Sequence, residues 1–223
     1  MLLILKEYFV KLQRSASAHI ARLNSRRQVK SIADLDGLQQ FLESRASHVT
    51  QTALYGYLRT RAGSRYPELF ANDDYAKAIN AAKWNIWLAC VSDLAIYAGG
   101  LIARRSKHED AVTARVMRLV IENILATGVP PESDSAYSVL VTGLRARVNT
   151  CTWNSVPDND AAFSESPDAL VRWAPIVDQL KQLDEEIVKN SVRFRWQEVR
   201  QDLRRLLDVD ALLTSVATVQ EAS

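Results

Sequence analysis

The chain has 223 residues, 48% of them apolar and 24% charged, with a net charge of +2. That apolar content and small charge excess exclude an intrinsically disordered chain, and only seven glycines and six prolines exclude a turn-rich β fold. Cys90 and Cys151 lie far apart without CxxC spacing, which excludes a disulfide framework or a cysteine zinc site and points to a reducing compartment.

Charge is unevenly placed. Residues 1–30 carry seven basic residues against Glu7 alone, a balance of +6 that leaves −4 for the other 193. Leu2, Leu5, Phe9, Leu12, Ala16, Ile20 and Leu23 recur at steps of three or four, predicting an amphipathic helix over 1–24. An apolar stripe accompanied by cations has the composition of a helix lying in a bilayer interface. Leu2, Leu5, Phe9 and Leu12 would dip toward the acyl chains while Lys6, Lys11 and Arg14 meet anionic headgroups. Docking of the stripe on the protein's own core and an organelle-targeting role are the competing readings. A secretory signal is disfavoured by the short apolar run and the missing small-residue cleavage site.

"SIAD" (Ser31 to Asp34) resembles a capping box with Asp for Glu and opens a helix from about Asp34 to Ala62. Leu38, Leu42, Val49, Ala53 and Gly56 form its core face, with Phe41 and Tyr57 beside it. Gly63 closes it in a left-handed conformation. Around that end, "YGYLRTRAGSRYPELF" gathers Arg59, Arg61, Arg65 and Tyr66, an anion-binding candidate because arginine pairs bidentately with phosphate or carboxylate. The competing reading is a set of cations suited to a helix C-terminus, with Pro67 stopping continuation.

A helix starting at Asn72, with Asp73 and Asp74 in its first turn, runs through the apolar stretch Trp84–Ala103. Asn85, Ser92 and Asp93 within that stretch favour the buried centre of a bundle over a membrane span. Asp93 and Tyr97 are therefore candidate buried polar groups. A buried carboxylate needs a partner, and Arg59, Arg61 or Arg65 is expected to supply it. "SKHE" (Ser106 to Glu109) caps a further helix that stops at Gly128 and Pro130. Tyr137, Leu140, Val141, Leu144 and Val148 mark a helix over about 135–150. Residues 154–168 form the one long turn-rich stretch, a linker or functional loop.

Ser166 with Pro167 starts the last helical region, which Pro175 kinks or restarts. Apolar residues then run 176, 180, 183 and 187, and shift to 188, 192, 196, 199, 203 and 206, a heptad stripe with a stutter. Val192, Trp196, Val199, Leu203 and Leu206 are the partner-helix candidates on it. Arg193, Arg195, Arg200, Arg204 and Arg205 make the same region basic. A solvated helix face explains them, with nucleic-acid contact as the minor alternative.

Gly-rich phosphate loops, GxSxG, HExxH and GxGxxG are absent from the sequence. His19, His48 and His108 are widely spaced, so no metal site and no cofactor are expected. The sequence thus predicts an all-α bundle of six or seven helices with a long C-terminal helix. It divides into a basic segment 1–30, a helical core 31–153, a loop 154–168 and a C-terminal helical segment 169–223. The function expected is a non-enzymatic, cytoplasmic adaptor or assembly factor touching an anionic membrane surface through the first segment and protein partners, self included, through the last. A small-molecule binder or an enzyme with an interhelical Arg/Asp pocket is the alternative, with a nucleic-acid regulator behind it and an organelle matrix as the alternative location.

Overall fold

The computed structural model describes residues 31–106 and 110–221, with side chains through 218. The expectations for residues 1–24, Leu2 through Arg14 included, and for the capping box ending at Glu109 lie outside the described residues.

Helix α1 (Leu35–Ala62) begins where the Asp34 carboxylate accepts the Gly37 N–H at 2.7 Å. Asp34 is thus the cap itself, a correction to the box built on Ser31. Gly63 ends the helix at φ 56°, its N–H donating to the Arg59 carbonyl. Pro67 does not stop the chain; a 3₁₀ segment (Gly63–Ala71) carries it on. Asn72 then caps α2 (Asp73–Ser106) by accepting the Tyr75 N–H at 2.9 Å. Four helices follow: α3 (Asp110–Leu125), α4 (Ala136–Thr150), α5 (Glu165–Trp173) and α6 (Asp178–Leu206). Pro175 separates the last two, because it cannot continue the hydrogen-bond ladder. A short α7 (Val209–Glu221) closes the described chain.

The fold is all-α, with seven α-helices and no strand among the described residues. One isolated parallel bridge joins Ile32 to Leu207, with the Ile32 N–H donating to the Leu206 carbonyl at 2.8 Å. That bridge ties the entry of α1 to the α6–α7 junction.

Helix α2 is the axis of the bundle, packing on α1, α3, α4, α5 and α7. It is long and apolar enough to cross a membrane, but its most apolar 18-residue stretch is 89% buried inside the protein. Its glycines explain how the 151–163 segment lies so close. A Cβ at Gly99 would come within 2.2 Å of the Trp153 ring, and one at Gly100 within 2.6 Å of Val156. The pair opens a slot in α2 into which Trp153 is fully buried. The turn-rich stretch is therefore a strap seated on the core rather than a free linker.

Candidate functional site

Helix α6 has two apolar faces. Val188, Val192, Trp196, Val199 and Leu203 are buried where the helix packs on α1 and α5. The assignment of Val192, Trp196, Val199 and Leu203 to a partner helix is therefore corrected: this chain's own core covers them, and Leu206 is half-buried. Phe163 from the strap stacks on Trp196 with ring centroids 4.7 Å apart. The stutter also has a different meaning. The shift from Ile187 to Val188 is a step from an outward stripe to an inward one that runs beside it.

The outward stripe is Leu183, Ile187 and Phe194, 76%, 74% and 70% exposed. At 3.6 residues per turn the three lie within about 40° of one another around the helix axis. Leu180, half-buried, continues the row toward the N-terminus, and the exposed Asn190, Gln197 and Gln201 fill its remaining positions. The spacing from 180 to 201 alternates three and four throughout, the signature of a coiled-coil seam.

The flanks of α6 are anchored to neighbouring helices. Arg45 on α1 reaches Asp202 at 2.8 Å, and Arg61 forms a two-pronged pair with Asp184. Lys189 bridges Asp168 of α5 (2.9 Å) and Glu185 (2.6 Å). Arg195 donates to the Thr52 hydroxyl at 3.2 Å, and Arg200 lies over the Phe163 ring. Arg204 Nε donates to the Tyr97 hydroxyl (2.9 Å) and to Asp158 Oδ1 (3.1 Å), while Arg205 pairs with Asp202 at 2.7 Å. Of the five arginines read as a basic face, Arg193 and Arg205 make contacts within α6 only, Arg193 with Asn190 Oδ1 at 2.9 Å and Arg205 with Asp202.

Asp93 is completely buried, but its partner is Arg147 of α4, not Arg59, Arg61 or Arg65. Arg147 Nη1 lies 2.8 Å from Asp93 Oδ1 and 2.8 Å from the Ser92 hydroxyl. The carboxylate also accepts the first N–H groups of α5, from Glu165 (3.1 Å) and Ser166 (2.7 Å), and the Ser166 hydroxyl at 2.7 Å. Trp196 Nε1 donates to that same hydroxyl at 3.0 Å. An acid on α2 thus caps α5 from across the core, a favourable place for negative charge. Burial lifts the Asp93 carboxyl above its ordinary value against the pull of Arg147 and Ser166. Nearby Cys90 is buried and its thiol is pushed up to about 12 by burial, which makes it a poor nucleophile.

Tyr97 donates to Asp158 Oδ1 at 2.6 Å, in a second knot with Arg204. Partial burial works against the charge on Asp158, yet Tyr97, Arg204 and Arg104 together hold its carboxyl below the usual range. Neither Arg147 nor Asp158 was assigned to these knots from sequence. The Gly99-Gly100 pair was the one legible trace of a close-packed segment there.

The arginine cluster does not act as a trio. Arg61 is committed to Asp184, Arg59 and Arg65 are exposed, and the Tyr66 ring packs edge-on against Phe70 at 5.3 Å. Arg65 lines a shallow open hollow with Glu68, Leu69, Asn72 and Tyr75, where the neighbouring acid disfavours an anion. Another open hollow, of about 450 Å³, lies beneath the α5–α6 junction at Ala78, Asp134 and Trp173. Neither hollow reaches Asp93 or Tyr97. No group of three or more His, Cys, Asp or Glu residues is placed to hold a metal among the described residues. No protein-family model, curated protein or solved structure matches the chain.

Proposed function

We propose that this chain is a non-enzymatic helical adaptor or assembly factor. Its protein-binding surface is the outward face of α6, and its basic segment 1–30 meets an anionic membrane surface. The observation that carries the protein half is the row Leu183, Ile187 and Phe194, each at least 70% exposed on a helix whose opposite face is already used by the core. Three large apolar side chains aligned on one helix face are what a partner helix covers, whereas apolar residues scattered singly over a surface carry no such meaning. The membrane half rests on charge: seven cations and one acid lie in residues 1–30, around and just beyond the predicted stripe of residues 1–24. The alternative of an interhelical pocket needs Arg59, Arg61, Arg65, Asp93 and Tyr97 to converge. Arg61 is spent on Asp184 and Asp93 on Arg147, which weighs against it.

Chemical cross-linking in the native source tests the protein half. The wild-type chain is expected to yield discrete adducts with protein, self or other. A Leu183→Glu/Phe194→Glu variant is expected to keep its helical circular dichroism and lose them. Adducts that persist unchanged in that variant, or none from either chain, would remove α6 as the docking surface.

A further inference from the structure

The occupant of this face can be named from its symmetry. The inference rests on the reading of α6 as a protein-binding surface and supplies the partner. We infer that the outward face of α6 pairs with the same face of a second copy of this chain, antiparallel, as a short two-stranded coiled coil.

The alternating spacing puts Leu180, Ile187 and Phe194 in one class of seam position and Leu183, Asn190 and Gln197 in the other. Glu186 and Arg193 then occupy the same flanking position one heptad apart, each immediately preceding a seam residue. Neither has an ion-pair partner among the described residues, and Arg193 is bonded only to Asn190. A two-fold axis crossing α6 between residues 188 and 189 sets Leu183 against Phe194 and Ile187 against Asn190 of the second copy. The same axis brings Glu186 beside Arg193 of the second copy, twice, with opposite charge each time. It also sets Asp184 beside Ser191 of the second copy, and no like charges meet. A face complementary to its own two-fold image is the condition for a closed dimer.

Charge also discriminates between occupants. The flanks of the row carry acid and base in balance, so an anionic bilayer gains nothing there. A strongly basic helix would meet Arg193 as often as Glu186. Asn190 inside the seam meets Ile187 of the second copy, and a polar group set against an apolar one costs affinity. The paired stretch, residues 180–197, spans about 26 Å at 1.5 Å per residue. With three strongly exposed apolar side chains per copy, the dimer is expected to be weak, with Kd on the order of 10 µM.

Sedimentation equilibrium of the purified full-length chain, across concentrations on both sides of that Kd, is the test. A reversible monomer–dimer equilibrium is expected, lost in Leu183→Glu. Glu186→Arg and Arg193→Glu should each weaken it by about tenfold, because each turns two attractions into repulsions. Mixing those two single variants should restore association, since every flanking pair is then opposite in charge. The double variant Glu186→Arg/Arg193→Glu should likewise pair with itself. A parallel seam would place Glu186 beside Ser191 of the second copy and be indifferent to Glu186→Arg, which would overturn the antiparallel register. A chain that stays monomeric at roughly thirty times the expected Kd overturns self-pairing altogether. If cross-linked adducts with a different protein still depend on Leu183 and Phe194, the adaptor reading stands without it. Absence of both removes the two together.

Discussion

Asp93 shows how one residue organises distant parts of the chain. Its carboxylate takes an arginine from α4 and the first N–H groups of α5, and through Ser166 it orients Trp196 on α6. Removing one member of such a set leaves the others buried and unpaired, which costs more than the set contributes by existing. Asp158 gives a sharper measurement because Tyr97, Arg204 and Arg104 hold its carboxyl below the ordinary value. Its folded carboxyl lies below the unfolded value of about 3.9, so its contribution is fully present above that pH. The contribution is lost as pH falls through the folded value. An Asp158→Asn chain should therefore be less stable at pH 7 and show a shallower loss of stability on acidification than the wild type. Urea midpoints measured from neutral pH down to about 3 check this, and parallel curves for the two chains would remove the Tyr97–Asp158–Arg204 knot as an acid-sensitive clamp.

At the scale of the element, α6 carries two stripes of similar apolarity with opposite fates. Trp196 is fully buried, stacked on Phe163 and hydrogen-bonded to Ser166, while Phe194, two residues away, is 70% exposed. Truncating the inner one opens a cavity and removes the hydrogen bond its indole N–H gives the Ser166 hydroxyl. Trp196→Ala should cost about 3–5 kcal/mol, and Phe194→Ala about 0.5 kcal/mol or less in the isolated protomer. Urea unfolding of the two variants at a concentration well below the dimer Kd makes the comparison. Equal losses would mean that the outward row contributes to the fold rather than to an interface.

At the scale of the whole molecule, the one described helix long and apolar enough to cross a membrane is buried inside the protein, and a mildly acidic remainder follows a basic leading segment. The membrane contact proposed for this chain therefore falls to residues 1–30 and not to α2. The full-length chain should co-sediment with vesicles containing phosphatidylserine at low salt and release as salt rises toward about 0.5 M, where the Debye length falls to a few ångströms. A chain lacking residues 1–24 should stay in the supernatant with its helical content otherwise kept. Sedimentation that ignores both salt and the deletion would end the electrostatic attachment.

The sequence by itself determined where most of the helices begin and end, because those signals are local. Asn72 and Gly63 act through hydrogen bonds or dihedral angles reaching at most four residues, and Pro175 acts through the ladder bond it cannot make. It also marked Asp93 as a buried acid in need of a counter-charge. Only the tertiary structure decided that Arg147 supplies that charge, since residues 54 apart in sequence meet by helix packing and not by spacing. The same holds for α6. Periodicity fixes that two apolar stripes exist on the helix but is blind to which one is covered. Val188, Val192 and Trp196 face inward because α1 and α5 lie against that side, and Leu183, Ile187 and Phe194 face water because nothing described does. Burial is a property of what packs against a helix, and that is set by chain far away in sequence.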